Sequence, residues 1–181
     1  VASLYGHTHL EELLEQTVTD VFVPVTVGGG IRSLADIRRL LAAGADKVAI
    51  NSAAIRTPSL INQAADRVGS QAIAVAIEAK RLGSQWEALY ESGRQRSGLD
   101  AIAWAQEAAR RGAGEILLTS IDREGTRRGF DVELTHAIAS RVTVPVVACG
   151  GMGSLAHLVN LYEQTKCEGV SMASCLHYGK V

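Results

Sequence analysis

The chain has 181 residues, of which 47 % are hydrophobic and only 4 % aromatic, with a formal net charge of −1 and a pI near 6.6. That length fits one domain whose core is built from Ala, Val, Ile and Leu, the usage of parallel sheets covered by helices. A near-neutral chain with no basic block argues against nucleic acid or an anionic membrane as partner, no apolar run is long enough to span a bilayer, and the opening VASLY lacks a signal-peptide pattern.

Helix and strand signals alternate along the chain. Residues 9–20 predict a helix, with Leu10, Leu13, Leu14 and Thr17 spaced for one face. Residues 22–27 form a continuous apolar run that reads as a strand. Ser33 can cap a helix over 34–43, with Asp36 at its third position and Gly44 as its stop. Residues 47–51 predict a strand, Pro58 opens a helix over 59–68, and residues 72–79 predict the next strand. The segment around Trp86-Glu87-Ala88-Leu89-Tyr90, flanked by Gly83-Ser84 and Ser92-Gly93, breaks the rhythm as a small hairpin or loop. Regular alternation then resumes, with helices over 99–111, 131–141 and 154–165 and strands over 115–120, 144–149 and 169–173.

One unit is written twice. VTVGGG (25–30) precedes a helix and the strand KVAIN, and about 120 residues later VVACGG (146–151) precedes a helix and the strand GVSMA. Glycines at the carboxyl end of a strand let backbone N–H groups approach an anion. Two copies predict a substrate with a phosphate at each end. Six βα units with an internal duplication predict an α/β fold of the (βα)8 barrel type over 1–181, while an open doubly wound sheet is the competing arrangement. A closed barrel takes eight strands in about 250 residues, so the N-terminal units and the last helix are expected to be missing. Unpaired apolar edges at 22–27 and 169–173 would then favour association.

Alternation along strands places Lys47, Ala49 and Asn51 on one face, as it does Ala74, Ala76 and Glu78, and Glu115, Leu117 and Thr119. Active sites of such barrels sit at the carboxyl ends of strands, which selects Asn51, Glu78, Thr119 and Cys149. Glu78 is the only carboxylate among these four and is the candidate acid/base, unless Lys80 or Arg81 simply pairs with it. Lys47 and Glu115 share the inward parity at the opposite mouth, as a solvated salt bridge or a gate on a central passage. The loop Ile121-Asp122-Arg123-Glu124-Gly125-Thr126 could bind hydroxyls, although such acid-plus-Gly loops are usually turns. Cys149, Cys167 and Cys175 lack metal-ligand spacing and the five histidines lack the i,i+4 spacing of a metal pair. No metal or organic cofactor is implied, and the free thiols fit a reducing cytoplasm.

VGGGI (27–31), GADKVAIN (44–51), GSQA (69–72), GAGEILLTSIDREGT (112–126) and His177-Tyr178 occur in this order. Together they resemble the cyclase subunit of imidazole glycerol phosphate synthase, of histidine biosynthesis, essentially end to end. The resemblance implies a (βα)8 barrel paired as a heterodimer with a glutaminase, whose ammonia enters the bottom of the barrel. At the top the ammonia meets a ribulosyl bisphosphate intermediate, which is cleaved and cyclised to imidazole glycerol phosphate and an aminoimidazole carboxamide ribotide. Carried over by position, one phosphate site falls on Gly30, Asn51 and Ser52 and the other on Gly151, Ala173 and Ser174. Thr119, Glu124 and Gly125 match substrate contacts, Lys47 and Glu115 match the ammonia gate, and Asp46 and Gln71 match the glutaminase interface.

The sequence departs from the family in three ways. Of its two catalytic aspartates, one lies on a first strand not found here and the other corresponds to Glu78, one methylene longer. Cys149 stands where family members carry serine, and the helix after the eighth strand is missing. Glu78, the opening VASLYG and His177-Tyr178 look more like a divergent branch associated with surface-polysaccharide clusters, which with an amidotransferase delivers ammonia to make acetamidino sugars. A non-catalytic remnant of the fold is the third reading.

Overall fold

The computed structural model describes residues 8–179. The opening VASLYG, used above to distinguish the divergent branch, lies outside them.

Six parallel strands follow one another in sequence order across one sheet: β1 (Thr26–Gly28), β2 (Lys47–Ile50), β3 (Ile73–Leu82), β6 (Glu115–Ser120), β7 (Val146–Cys149) and β8 (Gly169–Ser171). The β4 (Gln85–Tyr90) and β5 (Gln95–Asp100) strands extend β3 as an antiparallel flap. A doubly wound sheet reverses its strand order at a switch point, and this sheet does not. It curls instead as an incomplete (βα)8 barrel. Among the described residues the β1 and β8 strands end the order, each hydrogen-bonded to a neighbour on one side.

The helices are α1 (Thr8–Asp20), α2 (Leu34–Ala42), α3 (Ser52–Arg56), α4 (Ser59–Val68), α5 (Ala101–Arg110), α6 (Val132–Ala139), α7 (Leu155–Gln164) and α8 (Ser174–His177). Their apolar stripes cover one face of the sheet. Val48, Ile50, Ile73, Val75, Ile77, Ile116 and Leu118 point to them and are fully buried beside Ile37, Ile61, Leu134 and Ile138. Each such side chain contributes about 1.5–3 kcal/mol by leaving water. The other parity mixes small, polar and aliphatic residues and is only partly covered, as Lys47, Ala49, Leu117, Thr119, Val147 and Cys149 show. That second face is the barrel interior.

Local signals hold where the backbone alone decides. Ser33 and Asp36 form a reciprocal capping box, with Ser33 N donating to Asp36 Oδ2 at 2.9 Å and Asp36 N to Ser33 Oγ at 3.2 Å. The predicted helix at 59–68 and strand at 115–120 are found with those bounds.

Several boundaries differ from expectation, four of them with consequences for the architecture. The strand expected over 22–27 is confined to Thr26–Gly28, and Phe22 is 92 % exposed. Pro24 has no N–H to offer a ladder, and the Asp46 carboxylate takes the Val25 N–H at 2.7 Å. The hairpin is no separate excursion: β3 runs on to Leu82 and pairs through Glu78–Leu82 with β4, burying Trp86, Ala88 and Leu89. The helix expected from residue 99 starts at Ala101, because Leu99 and Asp100 pair in β5. Asp100 then caps it, accepting from Ala103 N at 2.8 Å. The last strand stops at Ser171, and α3 and α8 are helical turns with no counterpart among the expected elements.

The duplication is visible in the backbone. Gly29 and Gly30 have φ of 108° and 72°, and Gly150 and Gly151 both 97°, conformations that L side chains rarely adopt. The residues entering the two short helices match as well, Asn51 at φ −124°, ψ −82° and Ala173 at φ −127°, ψ −68°.

Truncating Ile77, fully buried between β3 and the helices, should cost about 2–5 kcal/mol, read as a fall in the urea midpoint. The open β1 and β8 edges predict that the 181-residue chain associates as its concentration rises. Light scattering behind a sizing column checks this, and a monomer at every concentration would count against it.

Candidate functional site

The carboxyl ends of the strands carry a row of inward-facing polar side chains. Glu78 on β3 is the register partner of Thr119 on β6, Thr119 that of Cys149 on β7, and Cys149 that of Ser171 on β8. Three of the four residues selected by alternation therefore lie in one line across the sheet. Asn51, the fourth, follows β2 and its Nδ2 reaches Glu78 Oε2 at 3.4 Å.

Among the described residues no cation pairs with Glu78. Arg81 instead grips Glu133, at 2.7 and 3.1 Å, and its guanidinium lies 4.7 Å from the Trp86 ring centroid. Partial burial pushes the Glu78 carboxyl above the usual range, although a hydrogen bond from the Gly93 backbone pulls the other way. Such a carboxyl is closer to sharing its proton at neutral pH than an exposed one.

A cleft of about 470 Å³ opens beside Glu78, between the ends of β1, β2 and β3. Gly29 and Gly30, Asn51, Ser52, Arg56 and Glu78 contribute to its lining. The first candidate phosphate group (Gly30, Asn51 and Ser52) thus converges on one space with the candidate acid/base. The β4–β5 hairpin closes one side, where Glu91 N in its turn donates to Ser52 Oγ at 3.0 Å and Asn51 Nδ2 donates to Leu89 O on β4 at 3.2 Å. Glu91 and Ser92 hold φ of 53° and 58°, a left-handed backbone costing non-glycine residues about 1–2 kcal/mol each. Tertiary contacts hold the turn in that form.

The second glycine pair is packed rather than open. Gly129 N donates to Gly151 O at 2.8 Å, and a Cβ on Gly151 would collide with Gly129 O. A Cβ on Gly150 would lie 3.0 Å from Ser120 O and 3.1 Å from Glu124 Oε2. Residues 121–130, with Glu124 and Gly125 among them, fold over this motif as a turn stitched by Glu124 N to Ser120 O at 2.9 Å. Ala173 and Ser174 follow β8, the strand paired with β7, so they share this quarter of the sheet. Cys149 approaches Glu124 at 4.0 Å, and its thiol is pushed up by burial and by that carboxylate.

The opposite mouth holds the other candidates. Lys47 Nζ and Glu115 Oε2 are 2.5 Å apart, with side chains 33 % and 17 % exposed. They start β2 and β6 and bridge across β3. Asp46, just before β2, and Gln71, in the 3-10 turn Ser70–Ala72 before β3, are exposed at this same end. Arg56, Tyr90 and Glu91 were not singled out by alternation or glycine motifs. Their signal is a cation–carboxylate pair with an aromatic, visible only once the hairpin is folded back.

Comparison with protein families matches residues 1–181 to the family described as histidine biosynthesis protein. Among the described residues no helix is long and apolar enough to cross a membrane.

Glu78 has a folded-state pKa raised above that of the unfolded chain, so the folded state binds the proton more tightly and loses stability as pH rises through the carboxylate range. Glu78→Gln should therefore raise Tm at pH 7, with the gain vanishing below about pH 4. Thermal melts of both proteins across that range check it, and an unchanged or lowered Tm at pH 7 would count against it.

Proposed function

The chain belongs to the histidine biosynthesis protein family, and from that premise we propose that it is the cyclase/lyase subunit of a glutamine-amidotransferase-coupled synthase. In this reading it takes ammonia from a partner glutaminase, forms a heterodimer with it, and converts a ribulosyl bisphosphate intermediate to imidazole glycerol phosphate and aminoimidazole carboxamide ribotide. The observation that carries the reading is Glu78. It is a carboxyl with no cationic partner among the described residues, raised by burial, at the head of a polar row and beside an open glycine-lined cleft.

The roles follow from position. Gly30 N–H, Asn51 and Ser52 bind one substrate phosphate in the open cleft. Gly151, Ala173 and Ser174, with Glu124 and Gly125, bind the other once residues 121–130 move aside, and Thr119 holds a hydroxyl between them. Glu78 gives and takes protons as ammonia attacks, its raised pKa bringing it nearer the operating pH. Lys47 and Glu115 guard the opposite mouth, and Asp46 and Gln71 beside them meet the glutaminase.

One observation favours a second reading. The carboxylate at position 78 is a glutamate rather than the aspartate of the cyclases it resembles, which moves the acidic group outward, and a shift of about 1 Å is enough to impair proton transfer. Ammonia delivery for acetamidino-sugar formation is the chemistry that departure supports.

Ammonia-dependent turnover of the ribulosyl bisphosphate is the direct test. Glu78→Gln should lower turnover by about 10²–10⁴-fold without weakening phosphate binding. Unaltered turnover in that variant removes Glu78 from the mechanism. A wild-type protein inactive at high ammonia that still binds a glutaminase would shift the assignment to sugar amidation. Glu115→Gln should depress glutamine-driven turnover more than turnover driven by free ammonium, read as the ratio of the two rates.

A further inference from the structure

The open cleft carries two cations, Arg32 and Arg56, and two carboxylates, Glu78 and Glu91. Arg56 is already engaged. Its Nη2 lies 2.7 Å from Glu91 Oε1, and its guanidinium stands 5.2 Å from the Tyr90 ring centroid. Glu91 sits at the tip of the β4–β5 hairpin, and that tip is tied to Ser52 Oγ and, through the Gly93 backbone, to Glu78, while the Asn51 amide holds Leu89 O on the adjoining β4 strand. The groups assigned above to phosphate binding and proton transfer are thus the groups that hold the hairpin down.

A carboxylate on the wall of a cleft that takes a phosphate is a competitor. It repels the incoming dianion and occupies a guanidinium whose planar fork suits phosphate at least as well as carboxylate. Arg56 is 60 % exposed and Glu91 37 %, so their pairing is easily exchanged.

We propose that the β4–β5 hairpin tip is a phosphate-operated latch, in which Arg56 exchanges the Glu91 carboxylate for a phosphate of the substrate. This rests on the assignment of the cleft as a phosphate site. Phosphate entering the cleft draws Arg56 away, Glu91 is expelled, and the strained turn at Glu91 and Ser92 lifts from Ser52. Arg56 is then a phosphate-binding residue beyond the glycine motif, and Glu91 its internal stand-in for the ligand.

The test titrates the 181-residue protein with inorganic phosphate, reading the dissociation constant by calorimetry and amide hydrogen exchange at residues 90–94. Arg56→Gln should weaken phosphate about fivefold or more, Arg56→Lys less, and Glu91→Gln should tighten it about threefold, through a charge-assisted contact made or freed. Because the gain in E91Q depends on a freed Arg56, it should vanish in the double variant. Saturating phosphate should speed exchange of the Glu91 and Gly93 amides. Equal melting temperatures for wild type and variants confirm that the fold is kept. Binding within twofold of wild type in both single variants would overturn the latch and leave the cleft's phosphate assignment standing. Weaker binding in R56Q with unchanged hairpin exchange would also overturn it. Wild-type protein that binds no phosphate would overturn the cleft assignment and the latch together.

Discussion

Everything in this fold depends on the two-residue period of a parallel strand. In β2, β6 and β7 one parity is buried against helices and the other is left half-covered. Val48, Ile50, Ile116 and Leu118 supply the cohesion, so Lys47, Thr119 and Cys149 are free to be polar. A slip of one residue in any register would exchange the two sets, burying Lys47 and Glu115 and exposing the isoleucines. The burial penalty for those charges keeps the register in place and so keeps Glu78, Thr119 and Cys149 in one row.

The internal duplication shows how like backbones come to differ in use. Both glycine pairs need positive φ, and both second strands lead into a short helix with nearly the same entry conformation. What differs is the cover. The flap of β4 and β5 leaves a cleft at the first pair, whereas the turn over residues 121–130 packs directly on the second, with Gly129 hydrogen-bonded to Gly151. Glycine at 151 is required by that contact whatever it binds, because a Cβ there has no room. Glycine at 30 carries the positive φ and lines the cleft.

The flap ties stability to the site. Trp86, Ala88 and Leu89 are buried under it, and Glu87 is buried with Arg96 at 2.8 Å and the Gly98 N–H at 2.8 Å. Its base is therefore firmly anchored. Its tip, held by Ser52 and Arg56, rests on groups that a ligand would also want. A rigid base and an exchangeable tip are what a movable cover needs.

Patterns that are local were legible in the amino-acid sequence. The six parallel strands, the capping box of Ser33 and Asp36, the helix from Ser59 and the inward parity of Glu78, Thr119 and Cys149 follow from side-chain period and backbone preference, which act over a few residues. Tertiary structure decided what depends on distant partners. The apolar run at 22–25 did not become strand, since Pro24 lacks a donor and Asp46, 21 residues away, takes the Val25 N–H. Glu78 did not pair with Arg81, because Glu133, 52 residues on, took that cation. The open first cradle, the covered second one and the Arg56–Glu91 pair likewise arise from contacts between segments far apart in the chain. No local period encodes them, because their free energy is gained only when the sheet has already brought the segments together.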